Sequence, residues 1–168
     1  MKDDVPGIER GHGVLIAETA VIHPSSRGSR IVIGEHCEIY DHVVIRCVGG
    51  LGDIVFGSHC YINPHCVLYS GNGILFGNYV LLAPGVKVMP TNHAFQSRDI
   101  PIRHQGFLPS KGGVICEDDV WIGANSTLLD GAHIEKGCII AAGSVVNRRV
   151  PSYEIWGGVP ARRIGIRP

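Results

Sequence analysis

One stretch of the chain concentrates side chains that could carry out acid–base chemistry. Residues 89–113 read MPTNHAFQSRDIPIRHQGFLPSKGG and contain His93 and His104 among arginines and an aspartate. A neutral imidazole can accept a proton near pH 7, because its ordinary pKa is about 6.5. The sequence has no Gly-x-Ser-x-Gly elbow, no P-loop and no Gly-x-Gly-x-x-Gly motif. The stretch therefore favours a general base, for which His93 is the best candidate.

The elements that must position this base follow from a six-residue repeat. Apolar residues open successive units at Cys116, Ile122, Leu128, Ile134, Ile140 and Val146. The same spacing recurs within residues 33–45, 56–68 and 76–88, and the series begins at Ile16. A helix would repeat every 3.6 residues, so this period predicts short strands joined by tight corners. Three units make one triangular coil, and stacked coils form an all-β parallel β-helix with a sheet on each of three faces.

The interruptions of the repeat predict where the chemistry lies. From residue 33 onward each interruption follows a third unit, so every insertion should leave from the same corner. The last one separates Val88 from Cys116, a step of 28 residues where six would suffice, which is an excess of 22. Long insertions in compact domains are usually functional. The inserted loop 89–113 is therefore the predicted site, and His93 lies near its exit from the β-helix.

The repeat also explains most of the six cysteines and nine histidines. Inward positions are expected for Cys37, Cys60, Cys66, Cys116 and Cys138. The histidines next to them have the opposite parity and should point outward. The chain has no CxxC or HExxH motif, and we expect no metal requirement. A metal site between subunits stays open as an alternative, because His36 with His59, and His42 with His65, occupy equivalent positions on neighbouring coils.

Length and composition exclude several classes of protein. The 168 residues fit a single domain spanning 1–168, and 45% hydrophobic with 18% charged residues is far from a disordered composition. Lys plus Arg and Asp plus Glu both number 15, which argues against a general nucleic-acid binder. No apolar run reaches the length of a membrane span, and the start lacks the pattern of a secretory signal. We therefore expect a cytoplasmic protein.

The second half of the chain resembles the hexapeptide-repeat acyltransferases. The likeness rests on VWIGANSTLLDGAHIEKGCIIAAGSVVNRRVPSYEIWGGVPARRIGIRP, residues 120–168, and on Thr91-Asn92-His93 upstream of it. The most similar members are the sugar and surface-polysaccharide O-acetyltransferases, and the likeness covers roughly residues 30–168. It implies a left-handed β-helix, acetyl-CoA as co-substrate, and a homotrimer whose active sites lie between subunits.

The resemblance also implies roles for individual residues. His93 matches the histidine that removes the proton from the acceptor. The acceptor side is expected at Asn63, Asn92 and Trp121. Contacts with acetyl-CoA are expected at Trp121, Ala124, Ala142, Asn147, Arg148 and Arg162. The sequence departs from the family pattern at Ala124, where serine is frequent, at Asn147-Arg148, where the family has Thr-Lys, and at Gly165, where it has a second arginine.

The charge of the C-terminal segment, residues 147–168, supports an anionic ligand independently of the resemblance. This segment contains five arginines, Arg148, Arg149, Arg162, Arg163 and Arg167, against the single acid Glu154. The local excess is five minus one, or +4, in a chain of zero net charge. Coenzyme A ends in phosphates, and the guanidinium fork suits phosphate oxygens. A solvated basic tail or a subunit contact would explain the same residues.

Taken together, the sequence predicts an acetyl-CoA-dependent acetyltransferase that acts on a hydroxyl of a sugar or surface-polysaccharide precursor. His93 would act as the general base. Two alternatives remain: N-acetylation of a nucleotide-linked amino sugar, which needs the same base, and a metal-dependent hydratase similar to the gamma-type carbonic anhydrases. The paired histidines five residues apart that mark the carbonic anhydrases are not matched here.

Overall fold

A computed structural model describes residues 7–168, whose regular secondary structure consists of short strands and one 3-10 turn. The first twelve are β1 Ile8–Arg10, β2 Leu15–Ile16, β3 Val21–His23, β4 Ile31–Ile33, β5 Glu38–Ile39, β6 Val44–Arg46, β7 Ile54–Phe56, β8 Tyr61–Ile62, β9 Val67–Tyr69, β10 Ile74–Phe76, β11 Leu81–Leu82 and β12 Lys87–Met89. After a 3-10 turn at Ile102–His104 come β13 Val114–Cys116, β14 Trp121–Ile122, β15 Thr127–Leu129, β16 Ala132–Ile134, β17 Ile139–Ile140, β18 Val145–Val146, β19 Arg149–Val150, β20 Glu154–Gly157 and β21 Arg162–Ile166.

Every third strand joins the same sheet, as a triangular coil requires. Sheet A has the order β1-β4-β7-β10-β13-β16-β19, sheet B the order β2-β5-β8-β11-β14-β17-β20-β21, and sheet C the order β3-β6-β9-β12-β15-β18. All neighbours are parallel except β20 and β21. The chain thus forms a left-handed parallel β-helix, as the resemblance implied. Corner A/B, corner B/C and corner C/A denote the turns from each sheet to the next.

The interior of the prism is the core that the repeat predicts. The opening residues from Ile33 to Val146 are buried, and so are the small or β-branched residues four positions after them. Cys37, Cys60, Cys66, Cys116 and Cys138 are among these buried side chains. Burial raises the pKa of the Cys66 thiol to about 11 and also raises that of Cys138, so these two thiols stay protonated near neutral pH.

Tight corners need unusual backbone, and the chain supplies it at the third position after an opening residue. His36, His59, Tyr79 and Asp119 have φ between 54 and 59° at corner A/B, a conformation that costs most side chains about 1–2 kcal/mol. The stacked rungs offset part of this cost, because the rings of His36 and His59 lie 5.2 Å apart and those of His59 and Tyr79 lie 4.9 Å apart. The histidines point outward, as predicted.

Corner C/A differs from the other two, because the insertions all leave from it. They occupy residues 24–30, 47–53, 70–73 and 90–113, each between a strand of sheet C and the next strand of sheet A. The prediction of a common corner is therefore confirmed. The part of the chain that the structure describes contains no helix long and apolar enough to cross a membrane.

Both ends of the β-helix extend further than the repeat indicated. Strand β1 forms an additional first rung, pairing with β4, although its third residue is the charged Arg10 rather than an apolar opener. The C-terminal segment, residues 147–168, continues the coil through Val150 and Trp156, which pack on the core. Strand β21 then folds back antiparallel on β20 and ends sheet B. The step from Val146 to Val150 is four residues instead of six, so the repeat did not indicate this continuation.

Candidate active site at corner C/A

The inserted loop is closed at its base by backbone pairing around His93. His93 and Phe107 form an antiparallel bridge. On either side of it the Ala94 N–H donates to the Gly106 carbonyl at 3.0 Å, and the Leu108 N–H donates to the Asn92 carbonyl at 2.8 Å. These bonds fix both strands of the loop at its exit from the β-helix. The histidine is therefore held by the backbone, as its place near the exit suggested.

The outer part of the loop is organised by one side chain. The Gln105 amide nitrogen donates to the carbonyls of Ser97, at 2.9 Å, and Ile100, at 2.7 Å, while its oxygen accepts from the Ser97 N–H at 3.0 Å. The loop nevertheless exposes Phe95, Ile100 and Ile102 to solvent. His104 lies on the 3-10 turn in this outer part, well beyond the closing bridge.

An apolar cleft of about 210 Å³ lies between the base of the loop and the outer surface of corner C/A. It is lined by Val48, Gly49, Tyr69, Met89, Pro90, Thr91, His93 and Phe107. The ring centroids of His93 and Phe107 are 4.9 Å apart. The imidazole is exposed, and among residues 7–168 no hydrogen bond or ion pair occupies its nitrogens. Its lone pair is thus available to a molecule bound in the cleft.

Glycines let the coils approach one another under this cleft. A Cβ on Gly71 would lie 2.9 Å from the Pro90 carbonyl oxygen, and one on Gly50 would lie 2.1 Å from the Gly71 carbonyl oxygen. No side chain fits at such distances, so the backbone of three successive coils packs directly at corner C/A. The Thr91 hydroxyl donates to the Gly49 carbonyl at 3.4 Å. This packing gives the cleft a rigid floor.

The residues expected to contact the acceptor or the acetyl end of the cofactor divide between two sides of the prism. Asn92 lies beside His93 at corner C/A. Trp121 lies on the outer face of β14 in sheet B, while Asn63, Ala124 and Ala142 lie at corner B/C. Sheet B faces away from corner C/A, so one chain does not bring its own Trp121 to its own His93. Asn63 also has a structural role, because its amide donates to the Leu82 carbonyl at 2.8 Å.

Ion pairs reduce the predicted positive excess of the C-terminal segment. Arg163 pairs with Glu154 at 3.3 Å, Arg167 pairs with Asp119 at 2.8 Å, and Arg149 pairs with Glu135. Arg148 and Arg162 pair with no carboxylate of residues 7–168. Both are exposed. Arg148 lies next to Asn147 at corner C/A, between β18 and β19, and Arg162 lies on β21. The two arginines that the resemblance selected are thus the ones whose charge remains free for a ligand.

Sequence reasoning missed the apolar walls of the cleft. Tyr69 and Met89 each follow the opening residue of a third unit, and Phe107 lies opposite His93 in the loop. The position directly after a third opener points outward at the corner from which insertions leave. Large apolar residues there were an available signal of a ligand surface.

Metal ligands do not gather within one described chain. Among residues 7–168 no three side chains of His, Cys, Asp or Glu lie together in a way that could hold a metal ion. The ladders of His36 with His59 and of His42 with His65 are stacked pairs, with ring centroids 5.2 and 5.1 Å apart. The metal alternative would therefore need ligands from another copy.

Comparisons of sequence point to the hexapeptide proteins. The family model described as bacterial transferase hexapeptide (six repeats) matches residues 113–148. Gamma carbonic anhydrase 2 of Arabidopsis thaliana is 41% identical over 78 residues, 45% of this chain and 26% of its own length. A 2,3,4,5-tetrahydropyridine-2,6-dicarboxylate N-acetyltransferase of Staphylococcus aureus is 48% identical over 56 residues, 33% of this chain and 23% of its own length. The chain thus spans about a quarter of the length of these curated relatives.

Solved structures match nearly the whole chain. A mutant of AntD, an N-acyltransferase from Bacillus cereus, in complex with dTDP and coenzyme A superposes with a TM-score of 0.78 at 25% identity. That match covers 95% of this chain and 84% of AntD. A hexapeptide-repeat-containing acetyltransferase of Vibrio cholerae, complexed with acetyl coenzyme A, gives 0.62 at 26% identity, covering 96% of this chain and 72% of the other.

Proposed function

On the premise that this chain is a hexapeptide-repeat protein with the β-helix of the sugar-type acyltransferases, we propose that it transfers an acetyl group from acetyl-CoA to a hydroxyl of a sugar or surface-polysaccharide precursor. The observation that carries the proposal is the environment of His93. Its imidazole lines a cleft large enough for one sugar-sized ring, and backbone hydrogen bonds fix its position at the base of the loop.

The proposed reaction is direct transfer with His93 as general base. An alcohol attacks a thioester poorly until a base removes its proton, and a positioned base contributes about 10²–10⁴-fold. The imidazole takes the hydroxyl proton, the oxygen forms the new ester bond to the acetyl carbon, and the carbon–sulfur bond breaks. The released thiolate of coenzyme A then takes the proton. Five of the six cysteines, all except Cys47, are buried, which argues against an acyl-cysteine intermediate.

The division of the site residues supports an active site shared between copies of the chain. One copy would supply Asn92 and His93 from corner C/A, and its neighbour would supply Trp121 from sheet B. The exposed Phe95, Ile100 and Ile102 suit burial against such a neighbour. Closed symmetric oligomers bury the same patches on every subunit, and a trimer would form three equivalent sites.

Residues that suit acetyl-CoA are present on the outer surface. Arg148 and Arg162 are proposed to hold phosphates, because their guanidinium groups are exposed and unpaired with carboxylates of the described chain. Trp121, with 48% of its surface exposed, offers an aromatic face. The small Ala124 and Ala142 leave corner B/C open to the pantetheine arm. Because acetyl-CoA is the donor, we expect the reaction in the cytoplasm.

N-acetylation of a nucleotide-linked amino sugar is the second candidate. The observation that favours it is the structural match with AntD, an N-acyltransferase bound to dTDP. An amine needs the same deprotonation by His93, so the cleft alone fits both reactions. The partial match with a gamma carbonic anhydrase keeps a hydratase as the third candidate, and it predicts a stoichiometric metal in the purified protein.

A thiol-release assay tests the proposal. Purified protein is incubated with acetyl-CoA and, in turn, free sugars, nucleotide-linked sugars, nucleotide-linked amino sugars and serine. Release of coenzyme A that depends on a sugar is the expected result. Treatment of the product with hydroxylamine separates the candidates, because an O-acetyl ester is cleaved and an amide is not. Absence of sugar-dependent thiol release across the panel would contradict the proposal.

A further inference from the structure

The imidazole of His93 lacks the partner that usually orients a histidine base. Such a base is commonly held in one orientation by a carboxylate or carbonyl that accepts the proton of its second nitrogen. Within the described chain neither nitrogen of His93 bonds to a group of this kind. The backbone bridge fixes its Cα but leaves its side-chain torsions free. Another contact is therefore needed to select the rotamer that faces the cleft.

The hydrogen bonds around the bridge bring one side chain close to that of His93. The two flanking bonds join the N–H groups of Ala94 and Leu108 to carbonyls of the opposite strand, so His93 and Phe107 exchange no hydrogen bond with each other. In an antiparallel ladder the Cα atoms of such a pair lie only about 4.5 Å apart, which brings the two side chains closer than in a hydrogen-bonded pair. The backbone thus places Phe107 against His93.

The two rings are in contact as a result. Their centroids are 4.9 Å apart and their planes meet at 41°, and the separation falls within the roughly 4.5–7 Å that aromatic pairs prefer. Both side chains line the cleft. His104, the other histidine of the loop, packs against no ring of residues 7–168. The contact is therefore particular to the proposed base.

The strand that carries Phe107 is fixed on both sides of this residue. Two residues before it, the Gln105 side chain is hydrogen-bonded to the backbone of Ser97 and Ile100. One residue after it, the Leu108 N–H is bonded across the bridge at 2.8 Å. A ring carried between two such anchors can restrict the side chain that it touches.

We infer that Phe107 is a positioning residue for the proposed base, with its ring holding the His93 imidazole in the orientation that faces the acceptor. This inference rests on the proposed acetyl transfer and adds a residue that the resemblance did not select. A residue that served only as part of the cleft wall would bind the acceptor and act on KM. A residue that orients the base acts on kcat.

Steady-state kinetics separate these two roles. Phe107→Leu keeps an apolar side chain but removes the ring, so kcat should fall by about three- to tenfold, as loss of an aromatic pair predicts. Its KM for the acceptor should stay within about twofold. Phe107→Tyr keeps the ring and should restore kcat to within about twofold of the wild-type value. Tyr69→Leu is the matched comparison, because it removes a ring of the cleft wall that makes no ring contact with His93 in the described chain, and it should raise KM more than it lowers kcat.

A double-mutant cycle tests whether Phe107 acts through His93. In the His93→Ala background there is no imidazole to orient, so Phe107→Leu should lower the residual thiol release by less than about twofold. Unchanged melting temperatures would verify that the variants are folded. An effect of Phe107→Leu as large in this background as in the wild-type protein would overturn the inference, and so would a loss confined to KM.

Nuclear magnetic resonance gives a readout that needs no turnover. In protein made with isotope-labelled histidine, the ring signal of His93 is identified by its absence from the His93→Ala spectrum. Wild-type protein should show a nuclear Overhauser effect between this ring and that of Phe107. Phe107→Leu should shift the His93 signal, because the ring that magnetically shields it is gone, and Phe107→Tyr should leave it nearly in place. An unshifted signal in Phe107→Leu would contradict the ring contact.

The two kinds of measurement separate this inference from the proposed function. If Phe107→Leu shifts the His93 signal but no sugar releases thiol, the acetyl transfer fails and the orientation of His93 by Phe107 stands. If sugar-dependent thiol release has the same kcat in wild-type and Phe107→Leu proteins, the acetyl transfer stands and Phe107 does not position the base.

Discussion

Corners A/B and B/C of the β-helix differ sharply from corner C/A. The first two turn within four residues in nearly every coil and form stacked ladders, such as the one from His36 through His59 to Tyr79. Corner C/A carries every insertion, including the loop with His93 and the wall of the cleft. The regular corners set the distances between coils, so the variable corner can change length and side chains without disturbing the core. The chemistry is expected where the repeat is broken.

The largest effect should come from changing the variable corner at His93. His93→Ala removes the proposed base, so kcat should fall by about 10²–10⁴-fold. The fold and the affinity for acetyl-CoA should persist, because the imidazole is exposed and forms no hydrogen bond within the described chain. Thiol release measures the rate, and calorimetry measures acetyl-CoA binding.

His104→Ala is the matched control for this loop. His104 lies on the 3-10 turn and is exposed, outside the cleft. Its removal should change kcat by less than about twofold, as surface substitutions away from a site usually do. A His93→Ala protein with near-normal kcat, or a His104→Ala protein with the greater loss, would take His93 out of the mechanism.

A substitution at the regular corner A/B should lower the stability of the protein. A Cβ on Gly57 would lie 2.5 Å from the backbone carbonyl of Gly77 in the next coil. Gly57→Ala should therefore lower the free energy of unfolding by about 1–3 kcal/mol through overpacking. Denaturant unfolding measures the change. Ser58→Ala, one residue away, should stay within about 0.5 kcal/mol, and equal effects of both substitutions would contradict the close packing of this corner.

Changing sheet B should weaken cofactor affinity and leave the base in place. Trp121→Ala is expected to raise KM for acetyl-CoA by about tenfold, through loss of an aromatic contact. Tyr61→Ala is the matched control, because Tyr61 lies two strands away on the same outer face and is 43% exposed, against 48% for Trp121. A selective change in KM for the acceptor, or an equal effect of both substitutions, would remove Trp121 from the cofactor site.

The smallest effect is expected at the end of corner A/B, where Glu135 accepts hydrogen bonds from the Ser152 hydroxyl and N–H and pairs with Arg149. These partners lower the pKa of the Glu135 carboxyl below its ordinary 4.5. Its stabilising contribution is therefore complete above pH 4.5 and is lost as the pH falls through the lowered pKa. Glu135→Gln should cost less than about 1 kcal/mol at pH 7.

Unfolding measured from pH 7 down to pH 3 tests whether the stabilising contribution of Glu135 is lost as the pH falls. The difference between wild-type and Glu135→Gln proteins should shrink as the pH falls. Glu35→Gln, at an exposed position of the same corner, is the control and should stay within about 0.5 kcal/mol of the wild-type protein. A difference that grows toward low pH would contradict the assigned hydrogen bonds.

The same contrast explains which features the sequence could predict. The six-residue period reflects which side chains point into the β-helix and how large they are. It therefore located the buried positions and the corner that all the insertions share. The pairing of His93 with Phe107 and the wall formed by Tyr69 depend on contacts between residues far apart in sequence, which no period encodes. The positive excess at the C-terminus was overestimated for the same reason, because Asp119 and Glu135 compensate it from neighbouring coils.

Complementation between two impaired variants, assayed at an acetyl-CoA concentration well below the wild-type KM, tests the shared active site most directly. His93→Ala and Trp121→Ala chains with different tags are co-expressed, and the mixed oligomers are isolated through both tags. If one copy supplies His93 and its neighbour supplies Trp121, every mixed trimer regains one intact site out of three, and thiol release should recover accordingly. Mixed oligomers that are no more active than either variant alone would contradict the account.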